Sequence, residues 1–145
     1  MNWVCIALGA GCVIAVQAAV NSRLGRELGN PALATLASFA TGTVLMVLYC
    51  LVVRTQVPPS AALLRIPVWA WFGGVLGAFY VGAVILTTPK LGVGSMVGLT
   101  VAGQMVMALI LDHFGLLGLE RHPVSPGRLL GMALLIAGVV LLKRF

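Results

Sequence analysis

The side chains able to do chemistry in this chain are mostly uncharged. Gln17 and Asn21 stand four residues apart, as do Thr100 and Gln104. At that spacing each pair shares one face of a helix, about one turn apart. Ser38 and Thr41 add hydroxyls, and Tyr80 adds a phenol near Trp69, Trp71, Phe72 and Phe79. Amides and hydroxyls donate and accept hydrogen bonds. They serve either to recognise the polar groups of a ligand or to join one helix to another. Asp112, beside His113, is the ionisable residue nearest to an apolar run. It is the candidate for coupling to an ion or proton, and pairing with an arginine at a helix end is the plainer role. The sequence holds no GxSxG, HExxH or phosphate-loop motif and no carboxylate pair, so an enzyme is not expected. Cys5, Cys12 and Cys50 form no CxxC or Cys/His pattern, so neither a disulfide, a metal site nor a cofactor is expected.

These side chains ride on long apolar runs. Of 145 residues, 61% are hydrophobic and 8% charged, and the mean hydropathy is +1.11. A soluble domain carries roughly 25% charged residues to cover its surface; a chain whose sides face lipid does not need them. The net charge of +6 would suit nucleic acid, but the basic residues are scattered singly between apolar runs, which excludes that partner and matches helix-flank charge.

A helix crosses the roughly 30 Å hydrocarbon core with about 20 apolar residues. Runs of that length predict spans over about 3–22, 32–53, 68–88, 91–111 and 127–142. The seven prolines are expected between runs, where a missing N–H does no harm. The fifth run reaches adequate length if Arg128 snorkels to the interface. The first lacks a basic segment before Arg23 and is read as an uncleaved helix. Asn21, near its predicted end, is expected either to face a cavity or to cap the helix. The expectation is one domain, 1–145, all-α and embedded in the lipid bilayer.

Small residues recur at four-residue spacing: Gly94, Gly98 and Ala102; Gly74, Ala78 and Gly82; Gly127 and Gly131. Such rows let helix backbones approach in lipid. Thr100 and Gln104 lie about 140° from the first row, so that helix has a packing face and a separate polar face. With five spans, one side of the membrane would hold Arg54, Arg65, Arg121 and Arg128, and the other Arg23, Arg26, Lys90, Lys143 and Arg144. Four basic residues against five give no orientation bias. The expectation is insertion both ways and an antiparallel homodimer, the inverted arrangement that transporters build within one chain.

Gln17-Ala-Ala-Val-Asn21-Ser-Arg-Leu-Gly25, Asp112-His-Phe-Gly-Leu-Leu-Gly118 and Gly127-Arg-Leu-Leu-Gly131-Met-Ala-Leu-Leu-Ile-Ala-Gly138 together resemble the YdcZ-type family of small bacterial membrane proteins. The last helix is also similar to the closing helix of EamA-type domains, in the drug/metabolite transporter superfamily. The resemblance implies a bacterial inner-membrane, multi-pass protein, half of an inverted-repeat transporter fold. It would carry a small-molecule substrate by alternating access, paired like the small multidrug resistance proteins. Those exporters use a membrane-embedded Glu in the first helix for proton and cation exchange. Here that span offers Gln17, so no catalytic residue carries over. The path would be walled by Gln17, Tyr80 and Gln104, with Asn21, Ser38, Thr41 and Thr100 beside them. A channel, or a non-transporting subunit of a larger complex, is the alternative; a channel would want a charged ring or filter loop that the sequence does not show.

Overall fold

The computed structural model describes residues 3–144, and among them every regular element is helical. The elements are α1 (Trp3–Glu27), α2 (Pro31–Val53), a short α3 (Ser60–Leu63), a 3-10 turn (Val68–Phe72) running into α4 (Gly73–Leu91), α5 (Val93–Phe114), a second 3-10 turn (Leu116–Gly118) and α6 (Pro126–Arg144). Among the described residues five segments are long and apolar enough to cross a membrane: Trp3–Glu27, Pro31–Val53, Val68–Leu91, Val93–Phe114 and Pro126–Arg144. Most large apolar side chains lie on the outside, from Trp3 and Leu8 on α1 to Leu134 and Leu142 on α6. That inverts a soluble fold and is what a lipid solvent requires.

Local chemistry sets the helix ends. Asn30 caps α2, its Oδ1 accepting from Ala32 N at 2.9 Å and Leu33 N at 3.2 Å, with Pro31 in the first position. Ser125 does the same for α6, its Oγ accepting from Arg128 N at 3.3 Å ahead of Pro126. Between α4 and α5 only Gly92 is non-helical, at φ 77°, a conformation that favours glycine.

Two expectations are corrected. First, α1 does not stop near residue 22 but continues to Glu27, supported by the Arg23–Glu27 pair at i,i+4 and by Arg26 in the last turn. Asn21 therefore sits inside the helix and does not cap it. Second, Pro89 lies within α4, not between runs. Proline there removes one hydrogen bond, that to the Ile85 carbonyl. The helix ends two residues later, so little regular structure remains to be disturbed.

The chain forms two compact units, Met1–Lys90 and Leu91–Phe145. In the first, α1 buries Ala18, Asn21, Ser22 and Gly25 at helical spacing, and α4 buries Val81, Val84, Ile85 and Thr88. They meet at Ala34 of α2, with Leu24 and Tyr80 packed around. Gly25 is required here: a Cβ would overlap Ile85 Cγ2 and lie 3.9 Å from Ala34 Cβ. In the second unit α5 packs on α6, Gly98 facing the two γ-methyls of Val139 at 3.2 and 3.4 Å from where a Cβ would stand. Met96, Leu109 and Val139 are buried there.

Candidate functional site

The α1–α2 hairpin is closed near its turn and open further along. Close to the turn, Gly25, Ala34 and Ile85 fill the space between helices. Beyond them the helices expose bulkier side chains, and an open-sided cavity of about 670 Å³ runs along α2. One wall is a helical face: Ser38, Gly42, Met46 and Cys50 succeed one another every four residues, flanked by Phe39, Thr43, Val47 and Leu51. Gln17 enters from α1, Val81 from α4, and Thr55 and Val57 from the segment after α2.

Phe39 and Gly77 shape this wall jointly. The ring Cζ of Phe39 lies 3.2 Å from the position a Gly77 Cβ would take, so the aromatic ring rests on bare backbone of α4. Thr43 turns its hydroxyl back to its own helix, Oγ1 donating to Phe39 O at 2.8 Å. Gln17 and Ser38 both line the cavity and make no side-chain hydrogen bond among the described residues. No Asp, Glu, Lys, Arg or His lines it.

The structure thus brings Gln17 and Ser38 onto one cavity. Thr41 is not among the residues lining it; its Oγ1 donates to Ala37 O at 3.0 Å and Ser38 O at 2.9 Å. Tyr80 is half-buried against the Ala34–Val81–Ile85 cluster. Asn21 is 5% exposed in the helix contact, next to Ser22, whose Oγ is buried with no hydrogen-bond partner; Thr88 Oγ1 on α4 is in the same state. In the second unit Thr100 points along its own helix, Oγ1 lying 3.5 Å from Met96 Sδ, and Gln104 is exposed.

Asp112 belongs to a polar tie at the α5–α6 connection. Its Oδ2 lies 3.3 Å from Arg128 Nη2 across the helix pair, and Arg128 Nη1 donates to His122 O at 3.2 Å. The end of α5 is capped from the same loop. Arg121 Nε donates to His113 O at 2.9 Å and His122 N to Asp112 O at 2.8 Å. His113 Nδ1 accepts from Val124 N at 3.2 Å, which requires that nitrogen to be unprotonated. Beneath the loop is an apolar cavity of about 300 Å³ lined by His113, Phe114, Leu109 and Met132 among others.

The α2 wall and Gly25 went unnoticed among the sequence's candidates. The wall had a signal, since Ser38, Gly42, Met46 and Cys50 repeat every four residues. Nothing in the spacing distinguished Gly25 from the other glycines. No group of three or more His, Cys, Asp or Glu among the described residues could hold a metal ion.

Comparison with known proteins identifies a family. The sequence model of a family described as "Putative inner membrane exporter, YdcZ" matches residues 2–141. No curated protein and no solved structure matches the chain.

Proposed function

The chain belongs to the YdcZ family of membrane proteins, and from that membership we propose that it is a subunit of a small-molecule transporter working by alternating access as an antiparallel homodimer. The family's description favours a transporter-like role over an enzymatic one. The observation that carries the reading is the open-sided cavity along α2, lined by Gln17 and Ser38, which make no side-chain hydrogen bond among the described residues. An amide at membrane depth must find a hydrogen-bonding partner or line water, and a solute passing through the cavity is such a partner. The cavity supplies one wall; a second copy, inserted the opposite way, would supply the other and make the path open to either side in turn. The even division of basic residues between the two ends of the helices supports two-way insertion.

A single cysteine placed after Phe145, in a chain with Cys5, Cys12 and Cys50 replaced by serine, tests the arrangement. An impermeant maleimide is applied to intact cells and again after permeabilisation. Labelling of about half the tags from outside is the expected result. Complete labelling, or none, before permeabilisation shows one orientation and overturns the antiparallel homodimer.

A further inference from the structure

The lining of the α2 cavity narrows what the transporter would carry, an inference that rests on the transport reading above. We propose that the cavity binds a neutral, largely apolar molecule with few hydrogen-bonding groups, and rejects permanent ions of either sign. Its wall carries no acidic or basic side chain. An ion leaving water for such a site has no counter-charge, and an unpaired charge in apolar surroundings is far costlier than an unpaired amide. One exposed aromatic ring, Phe39, does not replace a carboxylate, because a single cation–π contact is weak beside the cost of an unpaired charge.

The polar capacity of the cavity is small and located. Thr43 spends its proton on the Phe39 carbonyl. That leaves the Gln17 amide, which both donates and accepts, the hydroxyls of Ser38 and Thr55, and the weakly polar thiol of Cys50. The remaining wall, with Met46, Val47 and the Phe39 ring, is apolar. At about 670 Å³ the space falls in the range of drug-sized ligand pockets, roughly 300–1,000 Å³. A lipid tail would fill it but leave the Gln17 amide unpaired, which a ligand with one N–H or O–H would not.

A matched set of probes tests the charge rule on the full chain in lipid nanodiscs, by equilibrium dialysis against empty discs. N-phenyl-1-naphthylamine is neutral with one N–H. 8-Anilinonaphthalene-1-sulfonate is the same skeleton with an anionic group. Tetraphenylphosphonium is a permanent phosphonium cation bearing four aryl rings. The neutral amine is expected to bind saturably, and the two ions at least about 100-fold more weakly. Gly42→Phe should weaken amine binding at least about tenfold, because Gly42 lines the cavity. A Cβ there meets nothing within 4 Å, so no helix contact opposes the start of the added side chain. Gln17→Leu should cost about fivefold, the order of one neutral hydrogen bond. Gly9→Phe is the control, since Gly9 is equally open but does not line the cavity.

Equal binding of either ion overturns the proposal. So does saturable amine binding that Gly42→Phe leaves unchanged, or the absence of saturable binding by all three probes, which would leave the cavity to lipid or to a second copy. Failure of the transport reading shows separately. Saturable amine binding without amine flux into proteoliposomes removes transport and keeps the charge rule. Flux confined to ions removes the charge rule and keeps transport.

Discussion

In the unit of α1, α2 and α4 the helices meet through Gly25, Ala34 and Ile85, and its one ion pair among the described residues, Arg23–Glu27, lies within α1. In the unit of α5 and α6 the helices also touch through a glycine, Gly98 against Val139, but the pair is further tied by Asp112–Arg128 and by loop donors to the end of α5. The first unit thus depends on fit alone, and where the fit ends the α2 cavity begins. The second adds electrostatics at one end, where the connection leaves the helices. Lipid offers no hydrophobic drive between helices, so close approach and hydrogen bonding must do the joining, and the two units weight these differently.

The comparison breaks first at Gly25. Gly25→Ala should destabilise the protein by about 2–3 kcal/mol, the cost of overpacking a contact that has no free space, read from denaturant unfolding in mixed micelles. If fit is the cause, Gly25→Ala with Ile85→Ala should be less destabilised than the two single changes added together, by more than about 1 kcal/mol. Strict additivity would show that the glycine acts otherwise.

Arg128→Ala should cost about 1–2 kcal/mol in the same assay, losing both the Asp112 partner and the bond to the His122 carbonyl. The pair is only half-buried, at 40% and 32% side-chain exposure, which keeps the figure low. Asp112→Asn in an Arg128→Ala background should add almost nothing; a full additional loss would mean that the two do not act together.

Gly98→Ala sharpens the contrast between the two glycines. The Val139 methyls stand 3.2–3.4 Å from the new Cβ and can yield by a rotamer adjustment, so the loss should stay below about 1 kcal/mol. A cost equal to that of Gly25→Ala would put both units in the same class. Smallest of all, Arg23→Ala should change stability by less than about 0.5 kcal/mol, since its partner is on the same helix and both side chains are largely exposed, at 72% and 61%. A larger effect would show that α1 depends on this pair after all.

Much of the architecture was legible before any coordinates. Apolar runs of about 20 residues between prolines and basic residues mark spans, because lipid demands that length. The ends were less legible. α1 passes its arginines to reach Glu27, since an i,i+4 ion pair and the helix dipole favour a continued helix. Pro89 reads as a boundary, although a proline near a helix end costs one hydrogen bond and leaves the helix intact. The polar residues could be found by type but not by surroundings. Asn21 and Gln17 share a face one turn apart, yet one is buried in a helix contact and the other lines a cavity. Ser38 and Thr41 are neighbours, yet Thr41 closes on its own backbone.

What the sequence by itself determined is the solvent and the kind of chemistry. An apolar chain with so few charges must live in lipid, and with no Asp, Glu, Lys, Arg or His in the middle of a span, its buried polar work falls to amides and hydroxyls. What only the tertiary structure decided is where helices touch and where they part. Gly98 and Gly25 meet neighbours, while Gly42, Gly74 and Gly94 face open space. Spacing along a helix fixes which residues share a face, but which face a neighbour covers depends on how far apart the helix axes stand. That separation is set by the side chains of two or three helices acting together, and no one helix's sequence contains it.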